Sequence, residues 1–388
     1  MKRLGLVPVF FLVAYAAFLF HHVAANADKF QPDFRVYYDA VASWQQGLNP
    51  YEPSALAGTG SATGPRRYVY PPLSLALFAP VTLLEFDHAY QLFLGLKFML
   101  VVVLLILWWR ILELGHDPVF PIFCLLAFNG TIYLDVVSGN VSLVEQALLW
   151  AAFACFVRGR LVPFCVLVVA ASVFKITPLV FLLLLVTTEH RRRYACLLGS
   201  LVGFLAIQTP AFVVAPSFLP AYVRNLRQLD ETGIVNPSTA ALLESVSRLV
   251  GDTVGYPIGP PLRWALLVGM AAAVLVVSRR SYLALRGRPP LERAWQTVFL
   301  ACFTYALLLP RFKDYSFILL IAPAYSVILS APPGATRFAL SVLAALSARH
   351  VMLPGLTHVV GLVWDYYPLG LAYAFWGLHG RDIRLRDR

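Results

Sequence analysis

Charged residues are scarce in this chain of 388 residues, because Asp, Glu, Lys and Arg together account for 13% of it. Soluble globular chains average about 25% charged and roughly 45–50% apolar residues, whereas 59% of this sequence is hydrophobic. Many of its apolar runs come close to the ~20 residues that a helix needs to cross a bilayer. The composition therefore excludes an ordinary soluble protein and predicts an all-α, polytopic membrane protein.

Cysteines are also few, and the five present do not form a recognisable site. All of them lie in apolar stretches, and no two have the CxxC spacing of a zinc or redox site: Cys124, Cys155, Cys165, Cys196 and Cys302. This distribution argues against a disulfide framework or a zinc site and favours small buried apolar side chains.

Motifs of cofactor-dependent enzymes are missing from the sequence. It has no P-loop, no GxSxG, no HExxH and no dinucleotide fingerprint. Its eight histidines are dispersed, apart from the pair His21 and His22, and lack metal-ligand spacing. We therefore expect no nucleotide, metal or redox cofactor. The net charge of +11 does not predict nucleic-acid binding, since the basic residues of membrane proteins collect in cytoplasmic loops.

The alternation of apolar segments and polar turns predicts about twelve membrane spans. If Lys2 and Arg3 are cytoplasmic and the chain changes side at each span, nearly every basic cluster falls on the cytoplasmic side, as the positive-inside rule requires. Both termini are then cytoplasmic, and we expect the protein in the plasma (inner) membrane. The predicted spans lie near residues 4–24, 88–111, 118–133, 141–157, 161–174, 177–187, 194–214, 263–282, 293–309, 315–330, 336–352 and 356–378.

The first apolar run allows a second interpretation. Ala25, Asn26 and Ala27 follow it and resemble the small-residue cleavage site of a secretory signal. The run from Leu4 to Phe20 is longer than the roughly 7–15 residues of a signal's apolar region. An uncleaved first span is therefore the favoured interpretation.

Two large segments fall on the outer side in this topology, residues 25–87 and 215–262. The apolar block 71–84 has about 14 residues, too few for a crossing, and predicts a re-entrant or interfacial helix on the outer side. Apolar and aromatic residues at helical spacing over Phe34–Gln46 predict an amphipathic helix with its rings at headgroup depth. Residues 54–66, rich in Gly, Ala, Ser and Thr, predict a mobile loop.

Asp33 lies just before this amphipathic helix and has two interpretations. It either caps the helix, because Asp accepts hydrogen bonds from the first helical N–H groups, or takes part in chemistry at the membrane edge. Asp39, six positions later, is expected on the opposite and solvated face of the same helix.

Lys175 lies between two apolar pieces, each about half the length of a normal span. The basic turns on both sides of this pair belong in the cytoplasm, so the pieces are predicted to form a hairpin with Lys175 at its outer apex. Ionisable groups within a membrane are candidates for function, and phosphate binding is one use of a lysine. Snorkelling to the outer headgroups is the alternative.

Three further polar sites fall on the outer side, two in short turns and one in the second large loop. The segment Arg311–Tyr315 has two cations and one acid, which could hold an anionic substrate or form a salt-bridged turn. Asn140 follows a glycine and either caps a helix or donates a hydrogen bond to a substrate. Asn236 opens a predicted amphipathic helix, for which capping is the simplest explanation.

Several of these motifs, in this order, resemble glycosyltransferase family 87. Its members are polytopic enzymes of the GT-C class that use polyprenyl-phosphate sugars, typified by α-(1,2)-mannosyltransferases of the bacterial envelope. The resemblance covers about residues 30–325 and rests on their order and common outer placement. The motifs are Asp33-Phe34 with Tyr37-Tyr38, Gly47 to Tyr51, Tyr68 to Pro72, Gly139-Asn140, Lys175 to Pro178, Asn236 to Ser238 and Pro310 to Tyr315.

The resemblance implies a GT-C-type bundle of about twelve transmembrane helices, formed as a single domain over residues 1–388 with a catalytic first outer loop. It implies transfer of a hexose, typically mannose, from a polyprenyl-phosphate donor to an envelope glycolipid or glycan acceptor on the outer face. The reaction inverts the anomeric carbon, and Asp33 is the general base. The implied substrate-binding residues are Tyr37, Tyr38, Tyr70, Asn140, Lys175, Asn236, Arg311, Lys313, Asp314 and Tyr315.

Two positions depart from the family pattern. Asn140 stands where the family commonly has glutamine, and Asp314 stands where a histidine often precedes the tyrosine. Both departures bear on the donor contacts and the identity of the sugar. Near the second of these positions, Lys313 or Arg311 still provides a basic group.

A transporter or lipid flippase of the cell envelope is the alternative from another functional class, since it would also have many spans and buried charge. Transporters often contain two related halves with broken helices in corresponding positions. The broken pair at 174–178 has no obvious counterpart in the second half of this sequence, which favours the glycosyltransferase.

Overall fold

The structure is a computed structural model that describes residues 6–26, 29–57, 67–115, 117, 119–229, 231–346 and 358–385. Within these residues the secondary structure is helical, and no strand is found. The α-helices are α1 Leu6–Ala24, α2 Pro32–Gln45, α3 Pro53–Ala57, α4 Leu73–Phe78, α5 Phe86–Ile111, α6 Val119–Ser138, α7 Ser142–Val157, α8 Leu161–Phe174, α9 Arg193–Val214, α10 Phe218–Arg227, α11 Thr239–Val254, α12 Pro260–Ala284, α13 Pro290–Leu308, α14 Ile321–Ser330, α15 Ala335–Ala345, α16 His358–Asp365 and α17 Tyr367–Leu385. The 3-10 helices are Ala79–Leu83, Thr177–Thr187, Gly233–Val235, Leu285–Gly287 and Asp314–Leu320.

The chain divides into two compact units. The first unit comprises Met1–Leu107 and Asp135–Asp230, and the second comprises Trp108–Leu134 and Glu231–Arg388. Both units are discontinuous in sequence, and helices α5 and α6 contribute residues to each of them. The single domain expected from the sequence stays a prediction.

Four helices in the described part of the chain are long and apolar enough to cross a membrane: α5, α6, α9 and the helix Pro260–Gly287, which is α12 with its 3-10 extension. Several other predicted spans correspond to shorter apolar helices, of which α7 and α8 are examples. The span 293–309 corresponds to α13, which has 19 residues but is less apolar than those four helices. The all-α polytopic class is confirmed, whereas helix length and composition in the described residues do not reach the count of about twelve full spans.

The end of the chain differs from the predicted span 356–378. Its described part consists of two helices, α16 and α17, separated by a turn at Tyr366. Helix α17 continues to Leu385, beyond the predicted end. Hydropathy did not indicate its last turns because they contain polar as well as apolar residues.

Helix α2 confirms the helix predicted near Phe34–Gln46. Its apolar face packs inside the first unit, where Phe34 stacks on Phe93 and Tyr37 stacks on Phe78, each with ring centroids 4.6 Å apart. Both α2 rings are fully buried. These rings therefore belong to the core of the unit, and their predicted position at headgroup depth stays a prediction.

The apolar block 71–84 forms α4 and the 3-10 helix Ala79–Leu83, 6 and 5 residues long. Neither is long enough to cross a bilayer, as the sequence predicted. The loop expected over 54–66 begins differently, because residues up to 57 belong to helix α3. Residues 58–66 lie outside the described residues.

Helix α6 is interrupted in its middle. Phe128 and Asn129 have φ angles of 51° and 64°, a left-handed conformation that Asn tolerates better than most residues. Beyond the interruption the helix continues to Ser138, so most of the outer turn predicted at 134–140 is helical. The chain reverses over Gly139–Val141 and enters α7.

Helix α8 and the 3-10 helix Thr177–Thr187 pack against each other, as the predicted hairpin requires. Lys175 adopts an extended conformation between them, with φ −143° and ψ 130°. Pro178 lies in the first turn of the 3-10 helix, where its missing N–H costs no hydrogen bond. Helix α7 packs along α8 and brings its first turn towards Lys175.

Candidate active site

Asp33 is the second residue of α2, not its N-cap. The cap position belongs to Gln31, whose φ of 52° and ψ of 46° are left-handed and whose side chain makes no capping hydrogen bond. The capping interpretation of Asp33 is therefore wrong. Its Oδ2 atom instead accepts a hydrogen bond of 2.7 Å from Nδ2 of Asn140. The carboxylate is partly exposed, and its place in the first turn puts it at the positive end of the helix dipole.

Asn140 is fully buried and hydrogen bonded at both ends of its amide. Nδ2 donates to Asp33 and, over 2.9 Å, to the hydroxyl of Tyr70. Oδ1 accepts from the backbone N–H of Ser142 at 3.1 Å and from its hydroxyl at 2.9 Å. Because the N–H and the hydroxyl of Ser142 both donate to the amide oxygen, the amide nitrogen must face Asp33. Asn140 also closes the turn before α7, although the N-cap itself is Val141.

Two buried tyrosines extend this network. The Tyr37 hydroxyl donates to the Tyr70 hydroxyl over 2.7 Å, so a continuous chain runs from Asp33 through Asn140 to Tyr37. The Tyr51 hydroxyl donates to the backbone carbonyl of Tyr70 over 2.7 Å and fixes the loop on which Tyr70 lies. Burial, with a smaller contribution from Tyr68, raises the pKa of Tyr51 above its usual value, so this hydroxyl stays protonated.

Lys175 joins the same network through Ser142. Its ammonium donates to the Ser142 hydroxyl over 2.6 Å and lies 3.1 Å from a carboxylate oxygen of Glu145. The Lys175 side chain is 23% exposed and that of Glu145 is 6% exposed. The ammonium thus faces protein partners at the apex of the hairpin, which argues against simple snorkelling.

Lys97 and Asp135 form a buried ion pair next to Asn140. The Lys97 ammonium donates to the Asp135 carboxylate, to the Asp135 backbone carbonyl over 2.8 Å and to the backbone carbonyl of Asn140. The sequence interpretation did not single out Lys97. Its signal was a single cation in the interior of a 26-residue apolar helix, a position where an ionisable residue points to function.

In the second unit, two cations meet one carboxylate. Nη2 of Arg311 lies 2.7 Å and Nζ of Lys313 lies 2.8 Å from the carboxylate oxygens of Glu231. Burial alone would raise the pKa of Glu231, but Lys313 and Arg311 outweigh it and hold the pKa below its usual value. The carboxylate is therefore ionised, and the three side chains together carry one positive charge. Glu231 was also missed by the sequence interpretation.

Asn236 holds the two segments of this cluster together. It is buried, its Oδ1 accepts from the N–H of Phe312 at 2.9 Å, and its Nδ2 donates to the carbonyl of Glu231 at 2.9 Å. Capping of α11 falls to Ser238, whose hydroxyl oxygen accepts from the N–H of Ala241. Asn236 thus ties together the two segments that carry the charges.

The predicted site residues therefore fall into two clusters. In the first unit the network contains Asp33, Tyr37, Tyr70, Asn140 and Lys175. In the second unit Lys313 lies over the ring of Tyr315, 5.6 Å from its centroid, and Asp314 Oδ1 accepts from the N–H of Tyr315 at 2.8 Å. Tyr38 does not join the first network, since its hydroxyl donates to the carbonyl of Leu84.

The first cluster has the groups that a proton transfer beside an anion requires. One oxygen of the Asp33 carboxylate is held by an amide, and its remaining lone pairs can accept a proton from a hydroxyl. The Lys175 ammonium supplies positive charge within the same hydrogen-bonded network. Among the residues that the structure describes, no three His, Cys, Asp or Glu side chains are grouped to hold a metal ion.

Comparison with known proteins identifies a family. The sequence model of glycosyltransferase family 87 matches residues 68–310, more than half of the chain. The matched region contains Tyr70, Asn140, Lys175 and Asn236. A search of curated proteins found no match. Among solved structures, the chain is similar to ArnT from Cupriavidus metallidurans bound to undecaprenyl phosphate, with 14% sequence identity over 97% of this chain and 78% of that chain and a TM-score of 0.40.

Proposed function

Because the chain belongs to glycosyltransferase family 87, we propose that it transfers a hexose from a polyprenyl-phosphate donor to a glycolipid or glycan acceptor of the cell envelope. Mannose is the first candidate for the hexose. The reaction takes place on the outer face of the plasma membrane and inverts the anomeric carbon. The observation that carries the proposal is the network joining Asp33, Asn140 and Lys175.

Asp33 is the general base in this proposal. The acceptor hydroxyl attacks the anomeric carbon and gives its proton to the Asp33 carboxylate as the new glycosidic bond forms. The amide of Asn140 orients the carboxylate by holding Oδ2, which leaves the other oxygen for the acceptor. Direct attack by the acceptor, with no enzyme-bound intermediate, accounts for the inversion.

The leaving group needs positive charge rather than a proton. As the bond between the anomeric carbon and the phosphate oxygen breaks, its electron pair goes to that oxygen, and the phosphate gains a second negative charge. Lys175 is the residue of the first cluster that balances this charge. The Ser142 and Glu145 contacts hold its ammonium in place before the donor binds.

In the second unit, Arg311 and Lys313 are the residues proposed to attract the donor. Their trio with Glu231 keeps one net positive charge, so an anionic donor is attracted to it. Asn236 and Tyr315 support this segment, and Asp314 takes the place of the family's histidine. Tyr37 and Tyr70 are buried in the first cluster, where the Tyr70 hydroxyl accepts from Asn140 and from Tyr37 and so helps to hold the amide beside Asp33.

A transfer assay with the purified protein in lipid nanodiscs tests this function. The protein is mixed with a panel of radiolabelled polyprenyl-phosphate hexoses and an envelope lipid extract, and labelled product is separated from donor. We expect one donor to be consumed with release of polyprenyl phosphate. Labelled lipid that crosses liposomes without any transfer of sugar would establish the flippase alternative instead.

Asp33→Asn tests the base. We expect this variant to lose roughly 100- to 10,000-fold in turnover, since general base catalysis contributes about that factor. Asp87→Asn is the matched control, because it makes the same change in an exposed carboxylate at the start of α5. Turnover of Asp33→Asn at the wild-type rate would refute the assignment of the base.

A further inference from the structure

The geometry points to Lys97 as the positioning residue of the Asp33–Asn140 pair, an inference that rests on the proposed function. The hydrogen bonds of Lys97 go to Asp135 and Asn140 and not to Asp33. Its side chain is 1% exposed, so it offers no surface to a substrate. It acts through Asn140, whose backbone carbonyl accepts a hydrogen bond from its ammonium. Lys97 thereby controls where the amide that holds the base lies.

The three hydrogens of the Lys97 ammonium are all used. One goes to the Asp135 carboxylate and the others go to the carbonyls of Asp135 and Asn140. The Asp135 carbonyl lies in the last turn of α6, and the Asn140 carbonyl lies in the turn between α6 and α7. The ammonium therefore joins the end of α6 to this turn, and the Asp135 carboxylate neutralises it in the interior.

Hydrogen bonds hold both the backbone and the side chain of Asn140 in place. Lys97 holds its carbonyl, and Ser142 holds its Oδ1 by two hydrogen bonds. The amide nitrogen is then left in one orientation, towards Asp33. Without Lys97 the Asn140 carbonyl would be buried without this partner, and the turn would shift to satisfy it.

The turn and the start of α2 are in close packing, so such a shift reaches Asp33. The N–H of Gln31 donates to the carbonyl of Val137 over 2.7 Å. Gly139 has a φ of +70°, and a Cβ atom there would lie 2.6 Å from Cβ of Gln31. A displacement of the turn therefore changes the distance between Asn140 and Asp33.

Stability alone gives little reason for this ion pair. Buried ion pairs are often replaced by apolar residues of similar volume without loss of stability, because desolvation offsets the attraction between the charges. An apolar pair, however, could not bind the two carbonyls of the turn. The contact with Asn140 is thus the contribution that only the lysine makes.

The test uses Lys97→Met together with Asp135→Asn, which leaves no unpaired charge in the interior. Each variant is prepared in nanodiscs, and kcat, KM for the donor and the thermal midpoint are measured. We expect kcat to fall on the order of 100-fold, the effect of a small misplacement at an active site, while KM for the donor stays near the wild-type value. Leu96→Met is the control for a methionine at the neighbouring position of α5.

The same substitutions in an Asn140→Ala background test whether Lys97 acts through Asn140. We expect no further loss of kcat there, because the amide that Lys97 positions is already absent. A double variant with wild-type kcat would overturn the inference. So would a loss in the Asn140→Ala background equal to the loss in the wild-type background.

A measurement that does not depend on turnover keeps the inference separate from the proposed function. Hydrogen–deuterium exchange of the peptide covering Gly139–Ser142 is expected to quicken in the double variant, while peptides from α9 exchange as in the wild type. Unchanged exchange overturns the inference. If no donor supports turnover by the wild type, the proposed function fails, and the exchange result still decides on Lys97.

Lys97→Arg provides a second variant if the double variant does not fold. Arginine keeps the charge opposite Asp135, but its planar fork cannot replace a compact ammonium between two carbonyls. We expect it to keep the thermal midpoint and to lose kcat, with faster exchange of the turn. Wild-type kcat and wild-type exchange in Lys97→Arg would overturn the inference.

Discussion

At the scale of single residues, the candidate site depends on side chains with no freedom to reorient. Asn140 is bonded at both ends of its amide, and the hydroxyl of Tyr70 accepts from both Asn140 and Tyr37. Such a network fixes geometry before a substrate arrives, which is the condition for effective proton transfer. Asp33 is its partly exposed end, and in the proposed function it is the residue that meets the acceptor.

Asn140 variants should separate the hydrogen bond from the size of the amide. Asn140→Leu removes the donor to Asp33, and since a hydrogen bond to a charged group contributes about 1.5–3 kcal/mol, kcat should fall at least tenfold. Asn140→Gln restores the residue that the family commonly has and should retain more activity than the leucine variant. Steady-state kinetics of both variants provide the check. Equal activity of leucine and glutamine would show that the amide is not needed.

Glu231 should make stability depend on pH. Its folded-state pKa lies below the usual value of 4.5, so its contribution is fully present above that pH and is lost as pH falls through the folded-state pKa. The thermal midpoint of the wild type should therefore drop on acidification. Glu231→Gln should lack this component, on the order of 1 kcal/mol for a partly exposed pair. Parallel pH profiles for the two proteins would contradict the prediction.

At the scale of elements, hydropathy located the helices because the signal is local to each segment. The spans at 88–111 and 194–214 correspond to α5 and α9 within a few residues. The partners of polar side chains could not be predicted in this way, because they depend on which faces pack together. Lys97 was visible as an isolated charge, but nothing in the sequence indicated that it would pair with Asp135.

Asp39 shows the same limit within one helix. It was expected on a solvated face, yet it is 7% exposed and pairs with Arg35 over 3.3 Å. The helical spacing was correct, but α2 is enclosed on more than its apolar side, since Arg35 also lies over the ring of Phe86. A helix in a loop between spans can therefore be buried on faces that its sequence marks as polar.

Ser238 should be the most sensitive cap of the outer-loop helices. Its oxygen caps α11, and its hydroxyl donates to the carbonyl of Pro310 over 2.6 Å. Ser238→Ala should destabilise the protein by about 1–2 kcal/mol through loss of the cap and this bond. Ser217→Ala is the matched control, because Ser217 occupies the cap position of α10 without a capping hydrogen bond. The thermal midpoints of both variants provide the comparison, and equal midpoints would refute the role of the cap.

At the scale of the whole molecule, the basic residues predict orientation in the membrane. The rule that places them in the cytoplasm also places the first loop, with Asp33, on the outer side. All ten predicted binding residues and the base belong to segments assigned to that side. Sidedness is therefore the prediction on which the whole proposed function depends.

Cysteine labelling in spheroplasts can measure this orientation. Ser54→Cys lies at an exposed position of α3, and Arg286→Cys lies at an exposed position after α12. A membrane-impermeant maleimide should label the first and should label the second only after permeabilisation. The unsubstituted protein provides the background from its five native cysteines. Labelling of both positions from the same side would refute the topology.

Gly139 limits how this protein can vary. Its backbone is left-handed, and a Cβ atom added to it would lie 2.6 Å from Cβ of Gln31, so there is no room for even a methyl group. In a saturation library selected for activity, position 139 should return glycine alone, whereas the adjacent position 138 should accept several residues. A search of the site for charged groups alone would miss Gly139. This glycine nevertheless sets the spacing between the turn that carries Asn140 and the start of α2, which carries Asp33.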